Sequence, residues 1–254
     1  MERFWQELHI DDQREYEWLF FQTRIRALKD ADEWHISIQN RKDSSAPPPG
    51  EDNVEWHRFI SDGKNSKLMF TPLPSDKPVL VNPEQAVNIL PGQKARFFIR
   101  MPVWLEISLF TSKRIPILEA ALEELTNTWF GSSLEGFLCY KLNTLAKRDF
   151  NDHDNSQVPS IITPVLIRNE SHELLPVQDV CIHGENLRVY RGIKNLWTNE
   201  IGITFYGNSQ PSKVSYGDKK PRFEELREES SSPRIRAKQD ILSKSFSFLK
   251  NISS

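Results

Sequence analysis

The chain has 254 residues, 38% of them apolar and 11% aromatic, with a formal net charge of −2. That length supports a buried core without disulfide or metal staples, and the aromatic share argues against disorder. The near-neutral balance gives no whole-molecule attraction to nucleic acid, which is therefore not an expected partner. The first residues lack the apolar stretch of a signal peptide, and no run reaches the roughly 18 apolar residues of a membrane span, so a cytoplasmic location is expected.

Residues 1–14 place Phe4, Trp5 and Leu8 at helical spacing and predict a short docking turn. Residues 16–25 and 34–39 read as two strands with a turn over 29–33 between them. Residues 41–53, with Pro47, Pro48 and Pro49, read as an exposed, extended loop. Strands follow at 54–60 and 68–70. Pro72, Pro74, Pro78, Pro83 and Pro91 exclude a regular helix over 71–93 and leave 79–81 and 86–90 as edge or crossover pieces.

The clearest strands are 95–101 and 103–110. In the second, Val103, Leu105, Ile107 and Leu109 share one face, and Trp104 lies on the other. Pro116 followed by Ile117, Leu118, Ala121, Leu122 and Leu125 predicts a short helix over 116–126. Gly131 and Gly136 bracket a turn before a strand at 137–144. After a polar loop, strands are expected at 160–168 (bent at Pro164), 177–183, 187–190, 200–206 and 213–216. Short strands at this spacing predict a mainly β fold: an antiparallel β-sandwich, one large or two abutting, with a short internal helix and terminal helices.

The expected organisation is a β-rich domain over 1–222, then a charged linker and a basic amphipathic helix over 223–254. Between residues 234 and 250, Arg234, Arg236, Lys238, Lys244 and Lys250 stand against Asp240 alone. Ile235, Leu242, Phe246 and Leu249 fall on one helical stripe. Such a tail docks on its own body, enters a groove of a protein partner or homo-oligomer, or makes peripheral contact with an anionic membrane.

Chemistry-bearing motifs are sparse. GxSxG, GxxxxGK[ST] and GxGxxG patterns are absent, so no cofactor is expected. The six histidines form no paired ligand spacing, and Asp152-His153-Asp154 reads as a solvated loop in preference to a metal site. Cys139 and Cys181 sit in apolar text as core thiols, and whether they pair is left open. The candidate binding surface is Trp104, Trp129 and Phe130 with the tail residues Arg234, Arg236, Lys238, Phe246 and Leu249.

The stretch from Pro102-Val-Trp-Leu-Glu-Ile-Ser-Leu-Phe110 through the aromatic-Gly pair Phe130-Gly131 to the Gly-led strand Gly136-Phe-Leu-Cys-Tyr140 resembles an uncharacterised prokaryotic domain family of unknown function. The resemblance extends over about residues 15–220 and carries no activity or site residues with it. The resulting expectation is a non-enzymatic binding or assembly module acting through a sheet face or the tail. A metal-dependent hydrolase built from scattered His and Asp residues, and a carbohydrate-binding sandwich, are the alternatives.

Overall fold

The computed structural model describes residues 7–40, 54–61, 66–84, 87–134, 136–144, 146–151 and 159–235, and strands dominate it. Two compact units alternate along the chain. One comprises Met1–Leu73, Pro102–Glu124 and Gln157–Pro159; the other comprises Pro74–Met101, Leu125–Ser156 and Ser160–Ser254. Among the described residues no helix is long and apolar enough to cross a membrane.

The first unit holds β1 (Glu7–Leu8), β2 (Glu15–Phe20), β3 (Thr23–Asp30), β4 (Glu33–Asn40), β5 (His57–Ile60) and β6 (Lys67–Leu73). The second begins with β7 (Val79–Pro83), β8 (Val87–Ile89) and β9 (Lys94–Pro102). The chain then returns to the first for β10 (Trp104–Phe110) and β11 (Arg114–Ala121). Two antiparallel four-stranded sheets result in the first unit, ordered β1-β6-β10-β11 and β2-β3-β4-β5.

Alternation builds the second of these sheets. On β3, Thr23, Ile25 and Ala27 are buried while Arg24, Arg26 and Leu28 are half-buried, the period of two that a one-sided sheet requires. The two sheets meet through rings: Trp18 and Phe20 pack edge-on against Phe70 at 5.1 and 5.4 Å. Trp34, fully buried, donates its indole N–H to Ser66 Oγ at 2.9 Å. Opposed inner faces locked by T-shaped aromatics are sandwich packing. β10 is buried on both faces, and its Glu106 accepts from Ser108 Oγ at 2.5 Å and from Arg114 Nε at 3.0 Å. This pairing keeps a buried carboxylate from standing uncompensated.

Four expectations are corrected here. Residues 16–25 are not one strand. The chain reverses at Phe21, whose φ is +54°, and β2 and β3 pair as a hairpin. The predicted helix at 116–126 is strand β11. It pairs along β10 from Trp104↔Ala121 to Phe110↔Arg114, with a register shift between Ile107 and Ser108 that leaves Ile117 unopposed. Ala120 and Leu122 are then buried, and Leu118 is half-buried. Hydrogen bonding to a preformed neighbour outweighs the helical spacing, because propensity is a weak prior. Of the predicted N-terminal turn, Glu7 and Leu8 are strand paired with Met69 and Leu68; Phe4 and Trp5 lie outside the described residues. Finally, Val79-Leu80-Val81 is an interior strand rather than an edge, flanked on both sides and buried on both faces.

The second unit continues with β12 (Thr126–Phe130), β13 (Phe137–Thr144), β14 (Ser160–Asn169), β15 (Leu175–Val177) and β16 (Val180–Ile182). A 3-10 turn at Gly184–Asn186 precedes β17 (Val189–Gly192), β18 (Leu196–Thr198), β19 (Ile201–Phe205), β20 (Lys213–Tyr216) and β21 (Leu226–Ser231). One sheet runs β12-β13-β7-β16. A larger one runs β20-β19-β14-β18-β17-β21 with β9 also on β14, and β8 pairs with β15. Most pairs are antiparallel, but β7–β13, β14–β18 and β14–β19 are parallel. Pro164, which lacks an N–H, lies where the partner of β14 passes from β18 to β19, so no ladder bond is lost there.

Val79, Val81, Phe97, Ile99, Val165, Ile167 and Ile203 belong to the main core of this unit. A second cluster gathers Phe98, Ile162, Tyr190 and Trp197, with Phe150, Phe223 and Leu226 against it. The charged stretch after Pro221 therefore contributes Phe223 and strand β21 to this body before the described chain ends at Ile235.

Candidate functional site

The β12–β13 hairpin presents two exposed large apolar side chains on one face and a third at its tip. In its antiparallel register Trp129 stands opposite Leu138, and Asn127 opposite Tyr140. Trp129 is 53% exposed, Leu138 47%, and Leu134 at the hairpin tip 94%. The partners of the other parity turn inward: Phe130 is buried against Phe137, and Cys139 is buried beside Thr128.

The turn fixes the indole. Gly131 has φ +104°, a conformation that costs an L-residue roughly 1–2 kcal/mol. The Ser132 carbonyl accepts both Gly136 N–H, at 2.8 Å, and Trp129 Nε1–H, at 3.1 Å. The ring lies so close over Gly136 that an added Cβ would stand 2.1 Å from Trp129 Nε1 and 2.5 Å from Ser132 O. Gly136→Ala is therefore expected to keep the fold but dislodge the indole, with a stability loss of about 1–2 kcal/mol. The Trp129 indole N–H resonance reports it; an unmoved resonance would refute this account of Gly136.

A polar margin borders the rings. Tyr140 donates its hydroxyl to Asp76 Oδ1 at 3.0 Å, Lys77 Nζ lies 4.8 Å from the Tyr140 ring centroid, and Lys77 Nζ donates to Asn127 Oδ1 at 3.4 Å. Burial, then the hydrogen bond to Asp76 and its charge, push the Tyr140 phenol up to about 12, so it stays a donor at neutral pH.

A second polar grouping lies around β16 in the same unit. His183 Nδ1 is 2.8 Å from Glu185 Oε1, and the Phe137 ring lies 5.5 Å from the imidazole. Ile235 N–H donates to Glu185 O at 3.0 Å, and Arg234 Nη2 donates to Pro74 O at 3.1 Å. Burial raises the Tyr216 phenol against the hydrogen bonds it receives from Asn186 and the His183 backbone. Burial likewise raises both thiols, with Cys139 and Glu185 adding to the effect at Cys181. Thiols held protonated in this way are poor nucleophiles. Both cysteines are free, and β7 lies between their strands. Two interstrand steps of about 4.8 Å exceed the roughly 7 Å limit for a disulfide. The grouping works as a seam that anchors the start of the C-terminal segment.

Of the sequence-derived candidates, Trp129 alone among the three aromatics reaches solvent. Trp104 and Phe130 are each 4% exposed and are packing residues. Arg234 sits in the seam, apart from any sheet face, while Arg236, Lys238, Phe246, Leu249 and the Asp152-His153-Asp154 run lie outside the described residues. Among the described residues no three His, Cys, Asp or Glu side chains come together as a metal site. Leu138, Tyr140, Asn127, Asp76 and Lys77 were not candidates. The signal that would have found Asn127, Leu138 and Tyr140 is the hairpin register, which Gly131 and Gly136 delimit once 126–130 is read as a strand; Asp76 and Lys77 precede β7 and reach the site only through the tertiary fold.

A family model described as a protein of unknown function, DUF432, matches residues 4–250. The chain belongs to the DUF432 family. The match takes in the Phe130-Gly131 and Gly136–Tyr140 signature on which the family resemblance rested. In this DUF432 member that signature is the hairpin that seats Trp129. No curated protein and no solved structure matches the chain.

Proposed function

We propose that this DUF432 member is a non-enzymatic binding and assembly module that engages a protein partner through the Trp129–Leu138 face. The observation that carries the reading is an exposed tryptophan held rigid by its own turn, beside a second exposed apolar residue and inside a polar margin. Anchoring aromatics surrounded by polar groups are the usual anatomy of an interface centre. A ring already fixed loses little freedom on binding. The carbohydrate reading has less support. Asn127 Oδ1 and Asp76 Oδ1 each already accept one hydrogen bond, from Lys77 and Tyr140, so part of the margin's polar capacity is taken up within the protein.

A photo-crosslinking residue placed at Asn127, in cells that express the protein, tests this. The expected result is a discrete protein adduct that is lost in Trp129→Ala and absent when the same residue replaces Ile60, which is 82% exposed in the other unit. No adduct at 127, or one indifferent to Trp129, would overturn the reading.

A further inference from the structure

Sheet edges offer unpaired N–H and C=O groups, and proteins blunt them with charge, proline or brevity. Most edges here follow that rule. β11 carries Pro116, β2 carries Glu17, β5 Arg58, β20 Lys213 and β21 Glu229, while β1 and β16 are only two and three residues long. β12 breaks it. Its sequence is Thr-Asn-Thr-Trp-Phe, with no charge and no proline, and among the described residues no strand pairs with its outer side. Thr126, Asn127 and Trp129 along it are exposed.

We infer that β12 is a self-association edge. Two copies pair their β12 strands antiparallel about Thr128 and join two four-stranded sheets into one. The inference rests on the binding-face reading above and names its occupant as a second copy of this chain. A two-fold axis at Thr128 sets Thr126 opposite Phe130 and Asn127 opposite Trp129 of the second copy. The strand brings no like charges together. Counting outward, Glu124 comes level with Ser132 of the second copy and not with its own counterpart. An antiparallel strand edge is self-complementary in its hydrogen bonds, so the contact closes on itself as an isologous dimer. Each Trp129, already fixed by Ser132 and Gly136, covers the other copy's Asn127.

The register gives a charge test, because like charges directly opposite destabilise a strand pair and unlike charges support it. Sedimentation velocity is run on the full chain, on N127E/W129E and on N127K/W129E at matched concentrations, with circular dichroism to confirm the fold. The wild type and N127K/W129E are expected to sediment as dimers. N127E/W129E, with acid opposite acid twice, is expected to associate at least about tenfold more weakly. A wild type that stays monomeric up to about 100 μM overturns the inference, whatever the variants do, since interfaces of useful affinity are far tighter than that. So do two double variants with equal association. The two ideas fail separately: a crosslink from position 127 to a different protein sinks self-pairing but keeps the binding face, whereas no crosslink at all removes both.

Discussion

Replacing Asn169 with aspartate is expected to cost about 4 kcal/mol of folding stability, more than its replacement by alanine at about 3 kcal/mol. Asn169, at the end of β14, is fully buried and uses every hydrogen-bonding position of its amide. Nδ2 donates to Ile89 O at 2.9 Å and Glu173 O at 2.7 Å, while Oδ1 accepts from Ser171 N at 3.0 Å and Ser171 Oγ at 2.6 Å. The side chain thereby ties β8 to the turn that follows β14. Alanine takes away the donor to Ile89 O and the acceptor of Ser171 N–H, while the Ser171 hydroxyl still reaches Glu173 O at 3.3 Å. Aspartate has the same shape and keeps the acceptor, but aims a second oxygen at the two carbonyls. Its penalty therefore grows as pH rises and the carboxylate ionises. Urea denaturation of both variants at pH 5 and pH 7.5 checks the ranking. An aspartate variant as stable as the parent would show that the amide orientation has been misassigned.

The second large effect belongs to Glu224. Its carboxylate accepts from the Lys194 and Asn195 backbone N–H groups, from Asn195 Nδ2 at 2.9 Å and from Trp197 Nε1 at 2.8 Å. Trp197 is fully buried and stacks on Phe223 at 5.6 Å, so its indole N–H has no water to turn to. Glu224→Ala is expected to cost about 3 kcal/mol, since it strands a buried donor and loosens the aromatic cluster. Glu224→Gln is expected to cost about 2 kcal/mol, because one end of the amide presents hydrogens to donors. Burial pushes the Glu224 carboxyl up, but the four donors together outweigh burial and hold it below its ordinary 4.5. A depressed acid stabilises the fold above the unfolded value, and that contribution is lost as pH falls through the lower folded value. Stability measured from pH 6 downward should therefore fall less steeply in Glu224→Gln than in the parent. Parallel curves would remove Glu224 from the acid response.

How far the fold could be read from residues depended on where the deciding contact lay. Strands whose own alternation met a buried face, such as residues 103–110 and 137–144, were legible, and so was the β-rich class. The β2–β3 reversal was not, because Phe21 adopts φ +54° with no glycine, asparagine or proline to mark it. The next hairpin, which Ala31 turns at +55°, was legible by contrast, because the polar run Lys29-Asp-Ala-Asp-Glu33 marks it. The stretch 116–126 satisfied a helical stripe and a strand alternation at once. Only its neighbour β10 decides between them. At the candidate site, Trp129 and the bracketing glycines were visible in the text, but the same text gave Trp104 and Phe130 equal standing. Which of the three faces water depends on both sides of β10 being covered and on the parity of the hairpin register, and neither is a local property.

The alternation of the two units along the chain bears on how the protein is made. Strand β10 lies beside β6, yet β7, β8 and β9 of the other unit are translated between them. At about 5–20 residues per second a ribosome needs roughly 2–7 s to go from the end of β6 to the end of β10. For that interval the nascent chain carries Leu68 and Phe70 on a strand whose main hydrogen-bonding neighbour does not yet exist. That is a window in which chaperone occupancy, and not the finished fold, decides whether the apolar face stays out of aggregates.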